Sequence, residues 1–236
     1  VTAQAAGGAT EGGDSACAGE IGEIICGAVN DIDEYWRDEL PAAFGHEYES
    51  AYTQIYSSRI NTGCGAASAQ MGPFYCPAPG DNQVYFDLAF LEQMQRELGA
   101  EGDFAAMYIT AHEYGHHVQN VLGINEEVRQ LQNRSSSSQS NALSVGMELQ
   151  ADCLAGAWAG DASKRTTDTG LPLLEAGDIE EAIGAAGAVG DDRITGGRVS
   201  AENFTHGTSA QRVEWFRRGF LEGPTACDTF TALGLA

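Results

Sequence analysis

The ten residues AHEYGHHVQN, Ala111 to Asn120, hold three of the chain's five histidines. On a helix, residues four apart turn about 400° and stand one above the other on nearly the same face. His112 and His116 have that spacing, and two imidazoles so placed can both reach one Zn²⁺ at about 2.0–2.1 Å. Glu113, about 100° round from His112, can stand beside a water acidified by the ion and take its proton. His117 lies about 100° round from His116 and points away from the metal, so a packing or hydrogen-bonding role is expected of it. A histidine pair of this spacing also arises by chance. Here, however, Phe104, Met107, Ile109, Val118 and Val121 make the segment apolar, and polar groups in such a place need a reason.

A metal held by two histidines needs a third protein ligand. The pattern HExxHxxGxxH would require Gly at position 119 and His at position 122, but Gln119 and Leu122 stand there. The other common solution is a carboxylate from a later helix. The apolar run MELQADCLAGAWA offers Glu148, with Asp152 one turn on as an acceptor for the N–H of a ligand histidine. Hydrolysis through such a site also needs a donor for the developing oxyanion. His206, in the polar stretch FTHGTS ahead of an expected helix, is the candidate, expected as a neutral N–H donor because a helix N-terminus disfavours imidazolium. A capping or core role for His206 is equally ordinary. Asp191 and Asp192 in GDDR read as a helix-terminal feature or as partners of Arg193, with calcium as the alternative. Gly115 can let another segment approach the metal helix closely. His46 reads as a surface histidine.

The elements that must position these groups follow from periodicity. A helix is expected from Ala28 through AVNDIDEYWRDEL, then an extended segment at EYESAYTQIYSSRI and a cysteine-closed loop at CGAASAQMGPFYCP. A strand is expected near Gln83–Leu88, either as an ordinary core strand or as an edge that aligns an extended substrate. Helices follow at about Ala89–Leu98, at DFAAMYITAHEYGHHVQNVLG (capped by Asp103 and ended by Gly123), and at NEEVRQLQN. RSSSSQS reads as a flexible break before the helix NALSVGMELQADCLAGAWAGDA. Two capping boxes are expected, Asp178 with Glu181 and Thr208 with Gln211. The fold class is α+β, dominated by helices, with a small antiparallel or mixed sheet of roughly three to four strands. Residues 1–25 read as a flexible tail and 26–236 as one domain.

Composition narrows the partners. The formal charge is −22, with 12 basic against 34 acidic residues, which argues against nucleic acid and anionic membrane surfaces. No apolar run is long enough to span a membrane. Six cysteines without a CxxC pair fit three disulfides in an oxidising compartment, and local spacing favours Cys17–Cys26 and Cys64–Cys76, leaving Cys153–Cys227 to tie two distant segments together. The alternative is buried free thiols. The small, polar start VTAQAAGGATEGGDSA reads as a linker tail, with a leader or anchor expected upstream and a secreted or extracytoplasmic location.

The blocks GPFYCP, VYFDLAF, GDFAAMYITAHEYGHHVQNVLG, ELQADCLAGAWA, GDIEEAI, GDDR, FTHGTSAQRVEWF and CDTF occur in that order. Over roughly residues 28–230 the chain resembles the bacterial neutral zinc metallopeptidase family. The resemblance implies a zincin-like fold of gluzincin character and one Zn²⁺ per chain. It maps the ligands onto His112, His116 and Glu148, and the catalytic glutamate onto Glu113. It also implies secretion or membrane anchoring. The expected function is a zinc-dependent peptidase acting on a peptide or protein. Two other readings stand beside it: a zinc-stabilised binding module with little turnover, and a metallohydrolase acting on a non-protein amide.

Overall fold

The computed structural model describes residues 17, 19–56, 59–68, 71–87, 89–90, 93, 103–167, 170–174, 177–196 and 198–235. Most of the expected tail and nearly all of the expected helix at 89–98 lie outside them. The chain forms two compact units, one running to Val121 and the other starting at Leu122. The architecture is α+β and predominantly helical, as its apolar periodicity indicates.

In the first unit, α1 spans Glu20–Phe44. It starts eight residues before the expected Ala28 because Ile21 and Ile25 carry the apolar stripe of Val29, Ile32, Trp36 and Leu40 one turn further back. All six are buried. The helix stops at Gly45, whose left-handed φ of 69° lets its N–H donate to the Pro41 carbonyl. Helix α1 packs against α2, Asp103–Val121, which carries the histidines.

Five short strands complete this unit: β1 Tyr52–Tyr56, β2 Arg59–Thr62, β3 Gly65–Ser68, β4 Phe74–Cys76 and β5 Gln83–Asp87. β5 lies between β1, its parallel partner, and β4, its antiparallel one. Both its backbone sides are therefore taken, and it cannot be the substrate-aligning edge that the sequence allowed. Its burial agrees, since Val84, Tyr85, Phe86 and Asp87 are consecutively buried. The expected loop CGAASAQMGPFYCP instead supplies β3 and β4. Gly and Ala are weak strand formers, so no alternation announces β3. β2 and β3 form an antiparallel pair, and the Cys64–Cys76 disulfide joins their connecting turn to β4. Cys17–Cys26 fastens the segment before α1 to that helix.

In the second unit, Gly123 (φ 78°) precedes α3, Ile124–Gln132. Helix α4, Ser137–Ala162, starts inside the stretch expected to be flexible. Ser136 accepts from the Gln139 N–H while the Gln139 side chain accepts from the Ser136 N–H, a reciprocal cap that turns a serine-rich run into a helix start. Helix α5 is Asp178–Ala188. Its N-cap is Gly177, without a side-chain cap bond, so Asp178 sits in the first turn and not at the expected capping position. The short α6 is Asp191–Ile194. Helix α7, Ser209–Glu222, does have the expected box of Thr208 and Gln211.

Helices α4 and α7 meet backbone to backbone. A methyl group at Gly156 would stand 2.0 Å from the Phe216 carbonyl oxygen, and one at Gly219 1.8 Å from that of Cys153. No side chain other than hydrogen fits such a contact. Cys153–Cys227 then ties α4 to the segment before α8, Thr229–Ala232. The six cysteines are thus paired as expected, with no free thiol among the described residues. No described helix is long and apolar enough to cross a membrane.

Candidate metal centre

Helix α2 is buried over most of its surface, so each polar side chain on it must be accounted for. The rings of His112 and His116 lie with centroids 4.8 Å apart and planes at 87°, as one-turn spacing requires. His112 is buried, His116 half-buried, and Glu113 is only 8% exposed. His116 Nδ1 lies 2.8 Å from Gln119 Oε1. A carbonyl oxygen only accepts, so Nδ1 carries the hydrogen and Nε2 is left with its lone pair, which is the form a metal ligand takes. Gln119 is fully buried, and the sequence reading treated it only as a residue that broke a motif. Its signal was its i+3 position from His116 on one helix.

His117 does what its angular position indicates. It is fully buried; Nε2–H donates to the Glu49 carbonyl at 2.5 Å, and Nδ1 lies 3.2 Å from the Tyr75 hydroxyl of β4. Burial pushes its pKa down to about 4 against the pull of the Glu49 hydrogen bond, so the ring is neutral near pH 7. Nearby, the Tyr114 hydroxyl lies 3.1 Å from Thr53 Oγ1, fastening α2 to β1.

In the second unit, α4 carries Glu148, half-buried, and Asp152, fully buried. Arg212 of α7, 3% exposed, grips Asp152 with two bonds: Nε to Oδ2 at 2.7 Å and Nη2 to Oδ1 at 2.9 Å. The same guanidinium stands 3.9 Å from Glu148 Oε2. A planar fork matched to a carboxylate fixes Asp152 in place and sets a positive charge beside Glu148. Arg212 was not singled out in the sequence, where it reads as one more charge in AQRVEWF.

The loop before α7 is held by the GDDR acids. Asp191 accepts from the backbone N–H groups of Thr205 (2.8 Å), His206 (2.7 Å) and Gly207 (3.2 Å), and from the His206 ring. Asp192 accepts from the Ser209 N–H and hydroxyl at the first turn of α7. Burial pushes the Asp191 carboxyl up, but the bonds from His206 and Thr205 outweigh it and hold it below the ordinary carboxylate range. His206 Nδ1 is 3.1 Å from Asp191 Oδ1, and its side chain is 49% exposed. The Thr205 hydroxyl stands 3.2 Å from the same nitrogen: Nδ1–H donating to Asp191 leaves Nε2 an acceptor, whereas Nδ1 accepting from Thr205 leaves Nε2–H a donor, as the sequence expectation requires.

The donors suit zinc, which takes imidazole nitrogen and carboxylate oxygen. The family model described as "Putative neutral zinc metallopeptidase" matches residues 1–230. The uncharacterized protein YpfJ of Escherichia coli (strain K12) is 50% identical over 202 residues, 84% of this chain and 67% of that one. The uncharacterized protein Rv2575 of Mycobacterium tuberculosis (strain ATCC 25618 / H37Rv) is 44% identical over 215 residues, 87% of this chain and 69% of its own. No solved structure gives a significant match. The match runs through the histidine helix, α4 and the His206 loop alike, and the chain belongs to the neutral zinc metallopeptidase family that this model describes.

Proposed function

We propose that the protein is a zinc-dependent peptidase, with one ion held by His112, His116 and Glu148 and with Glu113 as general base. The observation that carries the reading is the commitment of His116 Nδ1 to Gln119, which leaves Nε2 in the ligand form. His112, His116 and Glu148 each offer one atom of a type zinc takes. When bound, the ion is a Lewis acid that polarises a carbonyl and acidifies water.

The residues do the rest. Glu113, set on the same helix turn as His112, takes the proton of the attacking water and passes it to the leaving amine. His206, held by Asp191 and Thr205, donates to the oxyanion that develops on the scissile carbonyl. Asp152, anchored by Arg212, accepts the N–H of a ligand histidine. The substrate is a peptide or protein. Three disulfides support an oxidising, extracytoplasmic location.

Glu113→Gln tests this directly. The variant should bind one zinc per chain by elemental analysis while losing about 10²–10⁴-fold in peptide cleavage. Wild-type protein that carries zinc and cleaves no member of a random peptide library would overturn the peptidase reading.

A further inference from the structure

The second unit contains a cavity of about 260 Å³ to which the proposed chemistry assigns nothing. Its lining includes Ala142, Val145, Phe204, Gly207, Leu233 and Leu235. Four polar residues also line it, Ser138, Glu202, Thr208 and Gln211, and the Thr208 hydroxyl and Gln211 Oε1 bond each other in the α7 capping box. Asn141 of α4 donates to the Glu202 backbone carbonyl at 3.1 Å. The cavity therefore offers mostly apolar surface with a polar fringe.

Its place in the chain gives it meaning. Val145 is three residues before Glu148 on α4, and Gly207 immediately follows His206. Gly207 (φ 83°) packs on α4 so closely that a methyl group there would stand 3.2 Å from both Val145 and Leu149. One wall is thus made by the two segments that carry the proposed ligand and the proposed oxyanion donor. A chain whose scissile carbonyl meets His206 would bring a neighbouring side chain to this wall. The volume lies just below the ~300–1,000 Å³ typical of small-molecule sites, which suits a single bulky side chain.

We propose that this cavity is the specificity subsite of the peptidase, and that it takes a large apolar side chain (Leu, Met or Phe) from a substrate residue flanking the cleaved bond. The proposal rests on the peptidase reading above. Such a pocket discriminates by buried methylenes, about tenfold or more for each one gained or lost.

The test is the ratio of kcat/KM for matched peptides with Leu or Ala at each position around the cleaved bond. Wild type should favour Leu at one flanking position by at least about tenfold, and Ala142→Phe, which fills the cavity, should abolish or reverse that ratio. Leu233→Trp, at a position 37% exposed, serves the same purpose if Ala142→Phe fails to fold. A flat wild-type profile, or a preference that survives both fillings, overturns the proposal. If wild type cleaves no peptide, the peptidase reading fails separately, and the cavity is then judged by binding. N-acetyl-leucinamide should saturably shift the methyl NMR signals of Val145 and Leu235 in wild type and not in the filled variants. Absence of that shift overturns the subsite.

Discussion

Helix α2 in the first unit and the α4–α7 pair in the second each hold candidate site residues, by opposite means. On α2 the side chains are wired by hydrogen bonds: His116 to Gln119, His117 to Glu49 and Tyr75, and Tyr114 to Thr53. Between α4 and α7 the backbones themselves touch, through Gly156, Gly160 and Gly219, and one buried Arg–Asp fork sits at this interface. The difference is one of tolerance. A hydrogen bond can be lost while the helix stays where it is, whereas a contact between two main chains has no rotamer to give.

The sharpest way to break the comparison is therefore Gly219→Ala. Its methyl group would meet the Cys153 carbonyl oxygen at 1.8 Å and the Ala157 nitrogen at 2.9 Å, neither of which can move without its helix. The loss should reach or pass the top of the about 1–3 kcal/mol usual for overpacking, read as a drop in the urea midpoint. A cost under about 1 kcal/mol would mean that the helices can separate freely, and the contrast would collapse. His117→Leu probes the other side. It removes the buried ring that donates to the Glu49 carbonyl and meets the Tyr75 hydroxyl, and should cost about 1–3 kcal/mol, less than the glycine change. If it costs more, the wiring of α2 is the stiffer device.

The same contrast explains how much was legible beforehand. His112, Glu113 and His116 announce themselves because helical spacing turns residue type directly into geometry, and angular position alone placed His117 outside the metal set. The Thr208–Gln211 box was legible for the same local reason, while Ser136–Gln139 was hidden inside a serine run that looks featureless. Gln119 was visible only as a failed motif. Arg212 escaped, and Asp191 was singled out without its partner, because Asp152 and His206 lie 60 and 15 residues away from them, and pairing over such separations is decided by tertiary packing. The close approach of α4 and α7 leaves only glycines in an alanine-rich stretch, a pattern that small residues produce for many reasons. β5 became a central strand because β4, only three residues long and set in a Gly- and Pro-punctuated loop, pairs with its second side.

The smallest expected effect concerns the loop between α6 and α7, which belongs to neither extreme because backbone N–H groups there converge on a side chain. The folded pKa of Asp191 lies below its ordinary value of 3.8, so the folded protein binds this proton less readily than the unfolded chain does. Stability from this group is therefore fully present above about pH 4 and is lost as pH falls through the depressed folded value. Asp191→Asn should be less stable than wild type at pH 6, and the gap should narrow as both are taken toward pH 3. Because 34 acidic residues titrate in the same range, the diagnostic quantity is the difference between the two urea midpoints at each pH, in which their shared titration cancels. A gap that stays constant across that range would mean the carboxylate charge does not hold the His206 loop. His206 would then have lost its fixed place, and with it the reason to expect a donor at that position.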